Sequence, residues 1–121
     1  MLFLYRVLIN FVVLISPIII IIRLLKNKES LLRCKEKFCV FSKKRLSGKI
    51  IWFHGASVGE LQSVIPLIEK LEKKNEIKQI LVTSNTLSSS KVMEKTNFKK
   101  VIHQFFPIDT NFFSLKFLNY W

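Results

Sequence analysis

Hydrophobic and polar positions divide this chain of 121 residues into three zones. Residues 2–25 are almost entirely apolar and carry only Arg6 and Arg23 as charges. Residues 26–48 are rich in basic side chains, and residues 49–121 alternate short apolar runs with segments of mixed polarity. The pattern predicts a membrane anchor helix over 1–25, a basic juxtamembrane connector over 26–48 and an incomplete globular domain over 49–121.

The apolar first zone is long enough to cross a bilayer as a helix, for which ~20 residues suffice. No cleavage site of small residues follows it, which favours an uncleaved anchor over a signal peptide. A buried core helix is disfavoured because the segment is apolar on all sides. Pro17 is expected to kink the helix, a feature that membrane helices tolerate.

Basic residues are concentrated after the anchor, whereas only Arg6 and the amino terminus precede it. The basic residues of this stretch are Arg23, Lys26, Lys28, Arg33, Lys35, Lys37, Lys43, Lys44, Arg45 and Lys49, and the acidic ones are Glu29 and Glu36. The positive-inside rule predicts a single-pass protein whose chain lies in the cytoplasm after residue 22.

The formal charge of +12 has two interpretations at this position. Directly after an anchor, an anionic membrane surface is the expected partner, since each basic residue near it contributes about 1 kcal/mol. A solvated linker that is held inside by its charge is the alternative. Nucleic acid is not the expected partner.

The globular zone alternates strand and helix patterns. The predicted strands are 50–53, 80–83 and 101–106, and the predicted helices cover the periodic positions from Leu61 to Leu71 and residues 91–96. Connections of this length predict an α/β fold with a partial Rossmann-like parallel β-α-β-α-β unit. Pro66 is expected to bend the first helix or to mark a late start. Three strands bury little apolar surface, so we expect the amino-terminal piece of a larger protein with open outer strands.

Three polar turns follow the three predicted strands, at residues 54–60, 83–89 and 107–110. The carboxyl ends of parallel strands meet at one edge of a sheet, where open sheets bind their ligands. The hydroxyl groups of Ser57, Thr83, Ser84 and Thr86, together with a helix start, are suited to holding an anionic group. The order of the turns therefore predicts a binding site at this edge.

The first of these turns has three interpretations. Gly55-Ala56-Ser57-Val58-Gly59 fits the G-x-S-x-G elbow of a serine hydrolase, although the downstream order of His103 and Asp109 is reversed for a triad. Ser57 and Glu60 also fit a capping box, in which Glu60 reaches back to the Ser57 amide. Finally, Glu60 is suited to be a general base, stabilised as the anion by the helix dipole unless burial against Trp52 or lipid opposes it.

The cysteines and histidines do not form a recognisable metal motif. Cys34 and Cys39 have a C-x4-C spacing without a second pair, and they are expected to be free thiols in a reducing compartment. His54 and His103 are expected to be structural or adjacent to substrate, since no third ligand accompanies them. Asp109 follows Pro107 and is either a turn residue or part of the site.

The run from Trp52 to Glu60, followed by Pro66-Leu67-Ile68, strongly resembles the amino-terminal domain of 3-deoxy-D-manno-octulosonic acid (Kdo) transferases. Three weaker elements agree in order. Residues 82–86 resemble the family's Val-Thr-Thr-x-Thr turn, residues 106–109 its aromatic-Pro-x-Asp turn, and residues 35–38 its Glu-Arg-Phe-Gly element. The resemblance covers essentially the whole chain.

The resemblance implies the amino-terminal half of a GT-B glycosyltransferase at the cytoplasmic face of a bacterial inner membrane. The implied donor is CMP-Kdo, the implied acceptor is a lipid A precursor, and neither a cofactor nor a metal is implied. Glu60 matches the family's proposed catalytic base, and the implied substrate-binding residues are His54, Ser57, Gly59, Thr83, Ser84, Thr86 and Asp109.

The chain also departs from the family pattern. Cys39 stands where the family usually has Gly, Ser84 replaces a Thr, and Ser89 stands near a frequent Gly. The carboxyl-terminal domain that binds CMP-Kdo is not recognisable in these residues. We therefore expect this chain alone to be inactive in transfer, and a membrane-tethered, acceptor-binding remnant is the alternative function.

Overall fold

The computed structural model describes residues 1–28 and 30–121, so Glu29 of the predicted connector lies outside the described residues. The elements, in chain order, are α1 (Leu2–Leu25), a 3-10 helix (Cys34–Phe38), β1 (Lys49–His54), α2 (Val58–Glu72), β2 (Ile77–Ser84), α3 (Leu87–Glu94), β3 (Val101–Phe105) and α4 (Asn111–Tyr120). The chain forms two compact units. We call Met1–Val40 with Pro107–Trp121 the anchor unit, and Phe41–Phe106 the sheet unit.

The sheet unit contains three parallel strands in the order β1-β2-β3. This arrangement confirms the predicted α/β class and the partial Rossmann-like unit. The central strand β2 is buried along almost its whole length, which explains the apolar run from Ile80 to Val82 at its centre. The hydrophobic core of the sheet unit comprises Leu61, Ile68, Ile77, Ile80, Val82 and Met93.

The two faces of β1 have different neighbours. Ile51 and Phe53 pack against the core, so Trp52 and His54 lie on the opposite face because side chains alternate along a strand. Trp52 and His54 are both exposed, and β1 is an edge strand within the described sheet. The edge position therefore leaves polar and aromatic side chains accessible next to the first turn.

Several element boundaries differ from the predictions, and the largest differences are in α2, α3 and β2. Helix α2 begins at Val58 and continues through Pro66, so the predicted late start is wrong. Helix α3 begins at Leu87, inside the segment predicted as a polar turn, because Thr86 caps it there. Strand β2 begins at Ile77, three residues earlier than predicted.

The anchor unit contains two helices that the hydrophobic pattern did not predict. The 3-10 helix buries Glu36, whose carboxylate accepts hydrogen bonds from Arg33 Nε at 2.9 Å and Nη2 at 3.1 Å. Helix α4 begins at Asn111 and is capped by Thr110. Its Phe113 ring packs edge-on against Phe38, at 5.8 Å between ring centroids.

Cys39 ends the 3-10 helix in the left-handed region, at φ 55° and ψ 38°. Glycine adopts this conformation most readily, which agrees with the Gly of the family pattern. The buried Cys39 thiol donates to Phe113 O at 3.1 Å, and burial raises its pKa while Lys116 opposes the shift. A thiol held protonated in this way is a packing group rather than a reactive nucleophile. Both cysteines are free.

Helix α1 is continuous from Leu2 to Leu25 even though Pro17 lies inside it. Proline has no N–H to donate to the carbonyl of Val13, four residues earlier. The Ser16 hydroxyl donates to Val13 O at 2.6 Å and satisfies that carbonyl instead. By length and apolar composition this helix could cross a membrane, and almost none of it is buried in the fold.

Candidate active site at the carboxyl ends of the strands

The turn after β1 holds Glu60 by two hydrogen bonds. Ser57 is the N-cap of α2, and its Oγ accepts from the Glu60 N–H at 3.2 Å. Glu60 Oε2 accepts from the Ala56 N–H at 2.8 Å. The predicted return bond to the Ser57 amide is therefore wrong by one residue, although the reciprocal arrangement of a capping box is present.

The Glu60 side chain is exposed, so it is not buried against Trp52. Oε2 is used by the Ala56 amide, and Oε1 has no hydrogen bond within the part of the chain that the structure describes. A carboxylate that is fixed at one oxygen and open at the other can accept a proton from a bound hydroxyl group. The first turn therefore holds an exposed carboxylate at the edge where parallel sheets bind ligands.

Two glycines flank this turn and have different roles. Gly55 is buried and donates its N–H to Thr83 O at 3.0 Å, and a Cβ there would lie 2.6 Å from Leu61 Cδ2. Gly59 is exposed, and a Cβ there would meet no atom within 4 Å. Gly55 therefore allows close packing between β1 and α2, whereas Gly59 leaves open space beside Glu60.

The geometry does not support the serine hydrolase interpretation. The Ser57 backbone is extended, at φ −119° and ψ 161°, and its hydroxyl caps a helix. His54 and His103 are bonded to Thr83 and Ser84 instead. Within residues 1–28 and 30–121, neither histidine is hydrogen-bonded to Ser57 as the base that activates a nucleophilic serine would be.

The Thr83 hydroxyl lies within hydrogen-bond distance of two aromatic side chains, those of Trp52 and His54. It accepts from Trp52 Nε1 at 2.8 Å and lies 2.9 Å from His54 Nδ1. The Phe106 ring stacks near Trp52, at 6.2 Å between centroids, and approaches His54 at 4.5 Å. Thr83 itself has no exposed surface, so it orients the Trp52 and His54 side chains from inside the fold.

Ser84 lies on the other face of the sheet from Thr83, because neighbours on a strand point in opposite directions. Its hydroxyl is completely buried and lies 2.7 Å from His103 Nε2. Ser84 and Thr83 were both predicted to bind substrate, and the structure places them in separate networks inside the fold. Direct substrate contact by either residue stays a prediction.

The turn after β2 repeats the cap of the first turn. Thr86 is the N-cap of α3, and its Oγ1 accepts from the Ser89 N–H at 3.3 Å and lies 2.8 Å from Ser89 Oγ. Thr86 is half-buried, whereas Ser89 is completely buried. Helices α2 and α3 therefore begin after the neighbouring strands β1 and β2. The backbone N–H groups at the start of a helix suit anionic ligands.

Asp109 belongs to the anchor unit, unlike the other predicted site residues. Its Oδ2 accepts a hydrogen bond from the Tyr5 hydroxyl at 2.5 Å. The next residue, Thr110, caps α4 by accepting from the Phe113 N–H at 3.2 Å. Asp109 therefore has a structural partner within its own unit, and its role toward substrate stays a prediction.

Trp52 and Phe106 lie in this region, but the sequence did not predict them as site residues. Trp52 is 43% exposed although it lies in a strand, and Phe106 follows β3 directly. The alternation of β1 places Trp52 on the same face as His54, and this periodicity is a signal that could have identified it. No cluster of His, Cys, Asp and Glu side chains among residues 1–28 and 30–121 could hold a metal ion.

Comparison with known proteins adds the family. The family profile described as 3-deoxy-D-manno-octulosonic-acid transferase (kdotransferase) matches residues 32–121. The 3-deoxy-D-manno-octulosonic acid transferase of Rickettsia bellii is 39% identical over 104 residues, which cover 86% of this chain and 25% of the relative. The enzyme of that name from Rickettsia felis is 43% identical over 72 residues, or 60% of this chain and 16% of the relative.

A probable mitochondrial 3-deoxy-D-manno-octulosonic acid transferase of Arabidopsis thaliana is 35% identical over 99 residues, which cover 82% of this chain and 22% of the relative. No solved structure matches the chain significantly. The aligned part spans about a quarter of the length of the Rickettsia bellii relative. The profile match over most of the chain shows that it belongs to the 3-deoxy-D-manno-octulosonic-acid transferase (Kdo transferase) family.

Proposed function

We propose that this chain is the amino-terminal part of a glycosyltransferase that transfers Kdo from CMP-Kdo to a lipid A precursor. Within that enzyme it supplies the acceptor side of the active site and the general base, Glu60. The observation that carries the proposal is the exposed Glu60 carboxylate, which the Ala56 amide and the Ser57 cap hold at the carboxyl end of β1. Membership of the Kdo transferase family supports the identity of the transferred sugar.

Glu60 acts on the acceptor in this mechanism. Its carboxylate takes the proton of an acceptor sugar hydroxyl, and the resulting oxygen nucleophile bonds to the anomeric carbon of Kdo. The bond between that carbon and the CMP phosphate breaks, and its electron pair leaves with the phosphate. A positioned base of this kind contributes roughly 10²–10⁴-fold to the rate.

The open space at Gly59 and the exposed His54 provide room for the acceptor beside this base. Thr83 fixes His54 and Trp52 from below, and the amino ends of α2 and α3 are suited to phosphate groups of the acceptor. These residues are the acceptor-binding set of the proposal. The donor, CMP-Kdo, binds a carboxyl-terminal domain outside the present chain.

Membrane attachment is part of the proposed function. Helix α1 has the length and apolar character of a membrane segment, and basic residues follow it. We propose that α1 and the basic connector hold the enzyme at the cytoplasmic face of a bacterial inner membrane, where an acylated acceptor is accessible. The single-pass orientation stays a prediction of the charge distribution.

The test is Glu60→Gln in the full-length transferase that carries this chain. Gln keeps an oxygen for the Ala56 amide but cannot take a proton, so transfer of Kdo from CMP-Kdo to the lipid A precursor should fall by roughly 10²-fold or more. Glu69→Gln, at an exposed position of α2, is the matched control and should retain full transfer. Retained turnover in Glu60→Gln would contradict the assignment.

A second candidate function is a membrane-tethered acceptor-binding module without chemistry. The observations that favour it are the exposed apolar helix α1 and the basic residues that follow it. This module should bind vesicles of anionic lipid, and the binding should weaken steeply as salt screens the basic connector. Transfer activity of the 121-residue chain alone would exclude this candidate.

A further inference from the structure

The hydroxyl group of Thr83 has three hydrogen-bond partners, and its single hydrogen limits how they can be arranged. Trp52 Nε1 lies 2.8 Å and His54 Nδ1 lies 2.9 Å from Thr83 Oγ1. The same oxygen lies 3.4 Å from Phe53 O. A threonine hydroxyl group donates one hydrogen and accepts at two lone pairs. All three bonds therefore form together only if Thr83 donates one of them and accepts the other two.

The chemistry of two of these partners decides the role of the third. The indole N–H of Trp52 can only donate, so it occupies one lone pair of Thr83 Oγ1. A backbone carbonyl can only accept, so the Thr83 hydrogen is donated to Phe53 O. The second lone pair remains for His54, whose Nδ1 must then carry a hydrogen. This network requires the Nδ1–H form of the neutral imidazole, in which Nε2 is a hydrogen-bond acceptor.

The second ring nitrogen of His54 is open to a ligand. His54 is exposed at the carboxyl end of β1. Apart from Glu29, which lies outside the described residues, no residue of the chain is hydrogen-bonded to His54 Nε2. The Phe106 ring packs against the imidazole, at 4.5 Å between centroids. One hydrogen bond and one aromatic contact therefore fix the His54 ring, with Nε2 on the side of the ring away from Thr83.

An acceptor nitrogen at this position distinguishes between two kinds of ligand group. A sugar hydroxyl group has a hydrogen to donate to Nε2, whereas the oxygens of a fully ionised phosphate can only accept. The exposed Trp52 ring lies on the same face of the sheet as His54 and provides an apolar surface. Aromatic surface with a few placed polar groups is typical of small-molecule sites. A ring with both hydroxyl groups and C–H bonds, as in a sugar, fits this combination.

We propose that His54 binds a hydroxyl group of the acceptor sugar through Nε2, and that Thr83 positions His54 for this contact by fixing its Nδ1–H form. The proposal rests on the proposed function, which assigns the acceptor to the edge of the sheet that carries Glu60. Glu60 takes the proton of the reacting hydroxyl group, and His54 orients the sugar through another one. Thr83 thus acts through His54 without touching the acceptor, which agrees with its complete burial.

Nitrogen NMR of the histidine side chains tests the Nδ1–H form without any transfer reaction. The two nitrogens of a neutral imidazole have well-separated chemical shifts, and the signals of His54 are those that disappear in His54→Gln. At about pH 8, where histidine is ordinarily neutral, His54 of the solubilised chain should carry its hydrogen on Nδ1. Thr83→Ser should keep this form, whereas Thr83→Val should lose it. A hydrogen on Nε2 in the unsubstituted chain would overturn the proposal.

The second measurement is KM for the acceptor in the full-length transferase. Thr83→Val keeps the shape of the side chain without its hydroxyl group, so KM should rise ~10-fold while kcat changes much less. Thr83→Ser should have nearly the KM of the unsubstituted enzyme. His54→Phe keeps an aromatic ring at an exposed position and should raise KM as much, which tests the proposal even if Thr83→Val does not fold. An unchanged KM in His54→Phe, or a Thr83→Ser as impaired as Thr83→Val, would contradict it.

A dephosphorylated acceptor separates a hydroxyl ligand of His54 from a phosphate ligand. His54→Phe should raise KM by the same factor for the lipid A precursor with and without its phosphate groups. A factor that disappears together with the phosphate groups would overturn the proposal. Failure of the proposed function is recognised separately, because transfer that persists in Glu60→Gln contradicts the base and leaves the NMR result and the ratio of KM values unchanged.

Discussion

The turns after β1 and β2 have the same local design and different environments. Ser57 and Thr86 both have an extended backbone, with φ −119° and −123° respectively, and each caps a helix through its hydroxyl group. The first turn follows an edge strand and exposes Glu60, whereas the second follows the central strand and buries Thr83 and Ser84. The same sequence signal thus exposes a carboxylate in one turn and places buried hydroxyl groups in the other.

The difference shows which property decides whether a hydroxyl-rich turn can bind a ligand. Both turns place a helix start at the carboxyl edge of a parallel sheet. Burial of the strand, which depends on its neighbours, then decides which of its terminal side chains reach solvent. Thr83, at the end of β2, therefore supports Trp52 and His54 of β1, whereas Ser84 pairs with His103 of β3.

The largest effect on stability is expected at the buried end of β2. Ser84→Ala removes the hydroxyl that lies 2.7 Å from His103 Nε2, and should lower the free energy of unfolding by about 1–3 kcal/mol. Ser88→Ala, at an exposed position of α3, is the control and should change it by less than about 0.5 kcal/mol. Thermal unfolding in detergent measures both, and equal midpoints would show that Ser84 is not a support.

A substitution at Gly55 tests the close packing between β1 and α2. Gly55→Ala brings a methyl group to 2.6 Å from Leu61 Cδ2, so overpacking should destabilise the chain by about 1–3 kcal/mol. The measurement is denaturant unfolding of the solubilised chain, with unchanged slope and a lower midpoint. A neutral Gly55→Ala would mean that β1 and α2 are less closely packed than the structure shows.

Ser57 and Thr86 should contribute equally to the stability of the chain but differently to Kdo transfer. Ser57→Ala and Thr86→Ala should each lower the free energy of unfolding by about 1 kcal/mol, because each leaves a helix amide without its cap. Kdo transfer by the full-length enzyme should fall further in Ser57→Ala than in Thr86→Ala, since the Ser57 cap helps to position Glu60. Equal loss of transfer in both variants would remove the functional distinction between the turns.

The smallest change in stability is expected for Gly59→Ala. A Cβ at this helical position meets no atom within 4 Å, so the variant should be more stable by about 0.5–1 kcal/mol. If the acceptor occupies the space beside Glu60, transfer should fall and KM for the acceptor should rise despite the higher stability. Unchanged kinetics would show that the acceptor does not approach Gly59.

Much of the sheet unit could be predicted from the hydrophobic pattern. The continuous apolar runs at residues 50–53 and 80–83 and the periodic positions from Leu61 to Leu71 each correspond to an observed element. Helix α4 was not predicted because its aromatic residues follow no simple period. The start of α3 was assigned to a turn because hydroxyl-rich segments favour both turns and helix caps.

The site was predicted only in part. Glu60 and its Ser57 cap follow from the capping-box spacing, and the resemblance to Kdo transferases provides the chemical role. Asp109 was predicted at the same edge, but the structure places it in the anchor unit with Tyr5 as its partner. No local pattern could indicate this hydrogen bond, since its two residues are 104 positions apart in the chain.

By itself the sequence determined the order of strands and helices in the sheet unit, the Ser57 cap, the family and the residue expected to act as base, since these depend on local periodicity and short motifs. Only the tertiary structure decided that Thr83 and Ser84 are buried on opposite faces of β2, because burial depends on which strands become neighbours. It also decided that the Ala56 amide holds Glu60 and that Tyr5 of α1 donates to Asp109. These contacts depend on side chains meeting across space.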